Sequence, residues 1–411
     1  MKLVAGLDIG NGYVKGLVRC GEKIKEVDIP SGVMIVTRPN LVPIKDDKVD
    51  EEIKDFYNRL DTSFVTPMIK DNYRRLFGER SLNASGAFEE FDVLGNRSKA
   101  QQELSKILVL GIIAGSAVKF YYEQHKKLPE ADGVLSVECK VALALPIGEY
   151  NSFRHIYAEE FKNGVHTVTI HNFETPITVK LKFDNVQVTA EGASAQYAII
   201  AKGEPLMDAM LLDLKKRGLS LDGVTSKDIL AVKNTIGIDI GEGTVNFPVF
   251  SGGRFNTDSS KTLNKGYGSV LTGALQNMQE SGVNGFNSRK QLASYLQNGP
   301  SPIKKNHYMR VKGFVDEEIV FFAKEVAEKF GHVLANSGAS VEVAYVYGGG
   351  ATAVKEVLYP LLIEKVKEIN GMDAFPVLYL NSDYSRHLNR EGLYLMVDII
   401  DKKNNGTESK K

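Results

Sequence analysis

The sequence lacks tryptophan, has only two cysteines and carries no excess of either charge. Nothing in the placement of Cys20 and Cys139 indicates a disulfide framework. Lysine plus arginine and aspartate plus glutamate each total 51, so the formal net charge is zero. Chains that grip a nucleic-acid backbone usually carry a basic excess, so the charge balance argues against strong direct binding of nucleic acid.

Long hydrophobic runs and leader-like segments are also missing. The longest charge-free apolar run, about 107–118, is too short to span a bilayer and is interpreted as the buried part of a long helix. The first residues form a strand-like run with no signal-type pattern before it. These features predict a protein of the reducing cytoplasm without a membrane partner. A length of 411 residues exceeds one hydrophobic core and predicts two large domains.

One short pattern occurs twice. "GLDIGNGYVKG" occupies 6–16 and "GIDIGEGTVNF" occupies 237–247, which places Asp8 and Asp239 at matching positions 231 residues apart. In each copy a β-forming run is broken by glycines and followed by a second β-forming run, as in a hairpin. The repeat therefore predicts two similar halves.

Glycines in such turns allow backbone N–H groups to face an anion. The candidate phosphate-binding residues are Gly10, Asn11, Gly12, Tyr13 and Lys15 in the first copy, and Gly241, Glu242, Gly243 and Thr244 in the second. An aspartate beside bound phosphate requires a cation, so Asp8 and Asp239 predict Mg²⁺ held largely through water. The alternative is an ordinary hairpin turn with a capping aspartate, which the second copy makes less favourable.

Two other nucleotide motifs do not fit the glycine turns. The sequence contains no G-x-x-x-x-G-K-[ST] pattern, which excludes a P-loop. Lys15 stands where a dinucleotide fingerprint needs its third glycine.

Two further pieces add to this pattern. "VYGGGAT" places Gly348, Gly349, Gly350 and Ala351 between a strand and a helix, where a flat ring or a ribose can approach the backbone. Glu191 stands between a strand and a helix, where a carboxylate can orient a water toward a terminal phosphate. The alternatives are an ordinary strand–helix turn and an acid that complements a helix dipole.

The first glycine turn, Glu191, the second glycine turn and the "VYGGGAT" turn together resemble the motifs of the actin-like ATPase superfamily. This superfamily includes actin, the chaperone ATPase domain, the sugar kinases and bacterial filament proteins. Glu191 and the ending "YLNSDYSRHLNREGLYLM" are most similar to the ParM/StbA plasmid-segregation proteins. Asn246 departs from the Asp of many relatives, and Glu242 from the Gly that ParM often has. Residues 36–96 and 280–312 match no part of the family pattern.

The resemblance implies an α/β fold of the duplicated actin-like, ribonuclease H-like type, with two domains around a nucleotide cleft. Domain I would comprise 1–190 and a C-terminal helix at about 382–400, with a small subdomain inserted at 36–96. Domain II would comprise 191–381, and a polar tail would follow at 401–411.

The resemblance also implies a site and a function. ATP, or alternatively GTP, would bind with Mg²⁺; Asp8 and Asp239 would hold the metal, Lys15 would neutralise phosphate charge, Glu191 would position water, and Gly268 would lie near the ribose. Hydrolysis would time the disassembly of filaments that move plasmid centromere DNA through a ParR-like adaptor. A small-molecule kinase of the sugar-kinase type is the alternative, although no substrate-activating aspartate stands out in the sequence.

Overall fold

The computed structural model describes the chain except for residues 37–42, 93–96, 131–132, 220, 222, 338–339, 372–373, 381 and 409–411. The chain forms two compact units. Unit 1 comprises Met1–Ala198 and Asn389–Lys411, and unit 2 comprises Ile199–Leu388. Both units mix strands and helices, which agrees with the predicted α/β class.

Unit 1 is built on a ten-stranded sheet. Its strands are β1 (Lys2–Ile9), β2 (Tyr13–Cys20), β3 (Lys23–Pro30), β4 (Val33–Val36), β5 (Asp61–Val65), β6 (Arg74–Leu76), β7 (Ala87–Glu89), β8 (Val134–Leu145), β9 (His166–Ile170) and β10 (Ile177–Ala190). Its helices are α1 (Val49–Lys54), α2 (Gly78–Asn83), α3 (Glu103–His125) and α4 (Ile147–Lys162), with short 3₁₀ turns at Asp46–Lys48, Phe56–Asn58 and Lys99–Gln101. A further helix, α5 (Ala193–Lys216), starts in unit 1 and is interrupted at Gly203, two residues before Pro205.

Unit 2 is built on a five-stranded sheet. Its strands are β11 (Thr235–Ile240), β12 (Val245–Ser251), β13 (Arg254–Leu263), β14 (Val343–Tyr347) and β15 (Val377–Tyr379). The remaining helices are α6 (Ser226–Ala231), α7 (Tyr267–Glu280), α8 (Arg289–Asn298), α9 (Lys305–Ser337), α10 (Ala351–Asn370), α11 (Ser382–Ser385) and α12 (Leu388–Glu408), the last of which lies almost wholly in unit 1.

The sequence repeat corresponds to a repeat of strand order. Five strands of unit 1 lie in the order β3-β2-β1-β8-β10, and the sheet of unit 2 has the order β13-β12-β11-β14-β15. In both, the repeated motif forms an antiparallel hairpin whose first strand pairs in parallel with the next strand of the sheet. The two copies of the motif therefore occupy equivalent places in their sheets.

Helix α3 forms the centre of the core of unit 1. Every residue from Leu104 to Phe120 is buried, which confirms that the apolar run at 107–118 is part of a long helix. Helix α3 has the length and composition of a membrane span, but 94% of its apolar window is buried inside the protein. Its apolar character is thus accounted for by packing against the sheet.

Two sequence-based expectations about the elements differ from the structure, the first only in part. The alternation over 166–190 predicts a hairpin and a third strand. β9 and β10 form the hairpin, but β10 continues to Ala190 through an irregularity between Phe183 and Asn185 and takes the place of the third strand. The polar tail was expected from residue 401, yet α12 continues to Glu408. Asp401 forms ion pairs with Arg19 at 2.7 Å and with Lys140 at 2.8 Å. The charged residue at the start of the expected tail therefore anchors α12 to the sheet.

The segment 36–96 has no counterpart in the five-strand repeat. It contributes β5, β6 and β7, which extend the first sheet beyond β9. Helices α1 and α2 belong to the same segment.

Candidate functional site

The first glycine turn is held by its own backbone and by Ser31. The Gly10 N–H donates to Tyr13 O at 3.1 Å, which closes the turn between β1 and β2. Ser31 donates from its N–H to Gly12 O at 3.0 Å and from its Oγ to Gly10 O at 2.6 Å. A Cβ atom on Gly10 would lie 2.7 Å from Tyr13 O, so the turn requires glycine at this position.

Asp8 lies at the end of β1, opposite Lys15 of β2. Burial raises the pKa of Asp8 to about 6; Lys15 and Lys99 act against this rise, and the Glu191 carboxylate adds to it. A carboxyl group with a raised pKa is one whose charge the protein compensates incompletely. Asp8 is therefore suited to a nearby cation.

Glu191 stands at the same edge of the sheet as Asp8, because β1, β8 and β10 run parallel. Its N–H donates to Leu145 O at 2.8 Å, and only 9% of the residue is exposed. Lys99, which is also buried, donates from Nζ to Glu191 Oε1 at 2.6 Å. Unit 1 thus brings Asp8, the first turn and Glu191 to one edge, together with a lysine that the sequence analysis missed.

A local signal for the segment around Lys99 was present in the sequence. Ser98 and Gln101 form a capping box, the S-x-x-Q pattern, around the 3₁₀ turn Lys99–Gln101. The pattern predicts a turn start, but it carries no information about the partner of Lys99.

The second glycine turn repeats the geometry of the first. The Gly241 N–H donates to Thr244 O at 2.9 Å, and Asp239 pairs with Asn246 across β11 and β12. Asp239 is 6% exposed. The Asn246 Oδ1 atom accepts a hydrogen bond from Thr262 Oγ1 at 2.8 Å. Asn246, which stands where many relatives have Asp, is thus bound to a residue of β13.

Three of the sequence-predicted pieces meet in unit 2. The second turn, the start of α7 and the glycine turn after β14 are joined by backbone hydrogen bonds. These are Tyr267 N–H to Gly241 O at 2.9 Å, Gly268 N–H to Glu242 O at 2.8 Å, and Gly350 N–H to Ile240 O at 2.9 Å. Gly268 and the residues Gly348 to Ala351 therefore lie beside the second turn.

The glycine turn depends on the absence of side chains. Gly348 has a φ of +101°, and its Cβ atom would lie 2.5 Å from Ile240 O and 2.6 Å from Asp239 Oδ1. A Cβ atom on Gly350 would lie 2.7 Å from the Cβ of Tyr267. Gly349 is exposed, so the peptide backbone is accessible at the middle of the turn.

Arg289 adds a cation to this group that sequence reasoning did not find. Its Nη2 lies 3.9 Å from Glu242 Oε1, and both side chains are more than a third exposed. A Cβ atom on Gly268 would lie 2.8 Å from Arg289 Nη1. The guanidinium is therefore placed beside the second turn by α8, an element that the sequence analysis did not predict.

The donor set fits a magnesium ion that keeps most of its water. Among the described residues, no group of three or more His, Cys, Asp or Glu side chains could enclose a metal. Asp8 and Asp239 each end a strand beside a glycine turn. One carboxylate per turn suits an ion held by water and phosphate rather than by an all-protein cage.

Two family models match the chain. Residues 6–193 match the N-terminal domain of actin-like proteins, and residues 237–359 match the C-terminal domain of an archaeal actin homologue of MreB-like type. Together these ranges contain every candidate site residue. A search of curated protein sequences found no match.

The solved structures that resemble the chain share its fold over almost its whole length. The actin-like protein Alp7A is 16% identical, with both chains covered completely and a TM-score of 0.64. A Bacillus thuringiensis ParM solved with ATP is 14% identical, with 97% of this chain and 99% of the other covered and a TM-score of 0.57. A 15-stranded ParM filament from Clostridium botulinum is 16% identical, with 97% and 99% covered and a TM-score of 0.60.

Proposed function

We propose that this chain, an actin-like protein by its two family-model matches and its fold, hydrolyses ATP and assembles into filaments whose disassembly is timed by hydrolysis. One observation carries the proposal. The Asp-x-Gly hairpin occurs at the same place of the same strand order in both units. A single hairpin turn is unremarkable, whereas equivalent turns in both units supply two candidate phosphate-binding loops.

Backbone N–H groups of the turns bind the phosphates in this proposal. The N–H groups of Gly10 and Gly241 close their own turns. We assign phosphate binding to the N–H groups of the residues that follow, namely Asn11, Gly12 and Tyr13 in unit 1 and Glu242, Gly243 and Thr244 in unit 2. Lys15 adds a positive charge that offsets the charge of the phosphoryl oxygens.

Asp8 and Asp239 hold Mg²⁺ through water in this proposal. When bound, the ion supplies charge neutralisation at the transferred phosphoryl group. The raised pKa of Asp8 supports the assignment, because a nearby cation restores the charged form of a buried carboxyl group.

Glu191 orients the attacking water toward the terminal phosphate. Its backbone is fixed by Leu145 and its carboxylate by Lys99, so the group is held in one orientation. Catalysis of phosphoryl transfer consists largely of such placement and of charge stabilisation. In the proposal, slow hydrolysis acts as the timer of filament disassembly.

The glycine turn after β14 and the start of α7 hold the nucleoside. The exposed Gly349 backbone offers a flat surface, and Gly268 lies in the first turn of the helix beside it. The filament itself is proposed to move plasmid DNA through a ParR-like adaptor in the bacterial cytoplasm. The zero net charge supports an indirect link to DNA.

Light scattering with simultaneous phosphate-release measurement tests the proposal. Scattering should rise when ATP and Mg²⁺ are added, and should fall as phosphate is released. Glu191→Ala should keep the scattering high while phosphate release falls. GTP measured in parallel decides the nucleotide preference. Absence of scattering at every concentration, with turnover only after addition of a small substrate such as a sugar, would reject the filament and favour the kinase.

A further inference from the structure

We infer that Lys99 is a positioning residue for Glu191: it holds the carboxylate in one orientation beside the water that Glu191 directs. The inference rests on the proposed ATPase activity and names a second residue of that site. Lys99 Nζ lies 2.6 Å from Glu191 Oε1, and both side chains are buried. A charge-assisted hydrogen bond of this length fixes the rotamer of the acceptor.

Lys99 is itself held in place from several sides. Its 3₁₀ turn is closed by the Ser98–Gln101 capping box. Its N–H donates to Glu149 Oε2 at 2.8 Å, and Nζ lies 5.3 Å from the centre of the Phe91 ring. Because the lysine is fixed before any ligand binds, it loses little conformational freedom in holding Glu191.

The charges around Glu191 explain why a cation is needed there. Glu191 and Lys99 act on the same two carboxyl groups, Asp8 and Glu149: burial raises the pKa of both, Glu191 raises both further, and Lys99 lowers both. Lys15 is the other cation that acts on Asp8. Without Lys99, this edge of the sheet would hold three carboxyl groups and one lysine at the place where a triphosphate is proposed to bind.

A buried lysine–carboxylate pair can also be purely structural, and unit 1 offers a matched example. Lys140 of β8 donates to Asp401 of α12 at 2.8 Å, with both side chains largely buried. This pair links the C-terminal helix to the sheet and involves no candidate site residue. Lys140→Met is therefore the control for the loss of a buried ion pair in the same unit.

Steady-state phosphate release and the affinity for a non-hydrolysable ATP analogue together test the role of Lys99. Lys99→Met should lower kcat about tenfold or more, with the analogue Kd unchanged within about threefold, because the lysine acts on the chemical step. Lys99→Arg should recover part of the lost kcat, and Lys140→Met should leave kcat at the wild-type level. Each rate is compared at matched light scattering, so that differences in assembly do not enter.

A double variant tests whether Lys99 acts through Glu191. In a Glu191→Gln background, Lys99→Met should cause no further loss of kcat, because the group that the lysine positions is already gone. The double variant also removes both charges together, which keeps the test valid if Lys99→Met alone does not fold.

Three results would overturn the inference: a wild-type kcat in Lys99→Met, a further loss in the double variant, or a loss of analogue affinity equal to the loss of kcat. Wild-type protein that releases no phosphate from ATP or GTP would instead reject the proposed ATPase itself. Normal release by wild type together with normal release by Lys99→Met rejects only the role of the lysine.

Discussion

Asp8 and Lys15 stand opposite each other across the first hairpin, and the equivalent pair in unit 2 is Asp239 and Asn246. The two copies of the motif keep the carboxylate but exchange the lysine for an amide. The amide is bound by Thr262, whereas the lysine lowers the pKa of Asp8 against the effect of burial. The two turns therefore differ in charge although their backbones are closed in the same way.

Replacing Asp8 by Asn should stabilise the nucleotide-free protein above pH 7. The pKa of Asp8 in the folded protein is about 6, above its ordinary value of 3.8, because burial disfavours the carboxylate. The folded state thus binds this proton more tightly, so stability falls as pH rises from about 4 to 6 and is then constant. The shift corresponds to about 3 kcal/mol at most. Burial of the carboxyl group causes the shift, but the residue as a whole is half-buried rather than fully enclosed, so the expected gain is about 1–2 kcal/mol.

Thermal unfolding of wild type and Asp8→Asn at pH 4 and pH 8 measures this effect. The advantage of the variant should be present at pH 8 and small at pH 4. Addition of Mg²⁺ and ATP should raise the Tm of wild type more than that of the variant. A variant that is no more stable than wild type at pH 8 would show that Asp8 does not carry an uncompensated charge.

Arg289→Ala should weaken nucleotide binding with little change in stability. Its ion pair with Glu242 is long, at 3.9 Å, and partly exposed, so it contributes less than about 1 kcal/mol to folding. Its guanidinium lies beside the second turn, where it can offset phosphate charge, and we expect the Kd for ATP to rise about three- to tenfold. Titration of a fluorescent ATP analogue measures this, with Arg254→Ala as the control because Arg254 is exposed at the start of β13. Equal Kd values for the two variants would exclude Arg289 from the site.

Gly348→Ala should destabilise unit 2 by about 2–4 kcal/mol. The substituted residue would have to keep a φ of +101° with its Cβ 2.5 Å from Ile240 O. Gly282→Ala separates the two causes, because Gly282 has a φ of +67° with no atom within 4 Å of its Cβ position. The control should lose only the conformational part, about 1–2 kcal/mol. Urea unfolding measures the loss in the free energy of unfolding for both variants. Equal losses would mean that the turn relaxes so that the new Cβ atom no longer meets Ile240.

Gly392→Ala should destabilise unit 1 by about 1–3 kcal/mol. A Cβ atom on Gly392 would lie 1.8 Å from Ser194 O, so α12 would have to move away from the start of α5. Gly313→Ala is the control, since Gly313 lies inside α9 with no atom near its Cβ position. That substitution should stabilise the protein by up to about 1 kcal/mol through helix propensity. A Gly392→Ala variant that unfolds at the wild-type temperature would show that the close contact between α12 and α5 does not contribute to stability.

The sequence-based predictions of the turns succeeded because glycine, aspartate and alternation are local signals. Both copies of the motif form the hairpins that their glycine-interrupted β-forming runs predicted, β1–β2 and β11–β12. The "REGLYLM" ending was recognised by its similarity to the family pattern. In the structure, Gly392 allows close contact with Ser194, and Arg390 pairs with Glu26 at 3.0 Å. The start of the tail was misjudged because Asp401 is paired with Arg19 and Lys140, which are far away in the chain.

By itself, the sequence determined the duplication, the two Asp-x-Gly hairpins, the glycine turn after β14 and the position of Glu191 at a strand end. Each depends on a few neighbouring residues whose backbone preferences are intrinsic. Only the tertiary structure decided which charges meet. Lys99 reaches Glu191 across 92 positions, and Arg289 reaches the second turn through α8. Charge pairs of this kind leave no local pattern, because the partner is chosen by how the strands and helices pack.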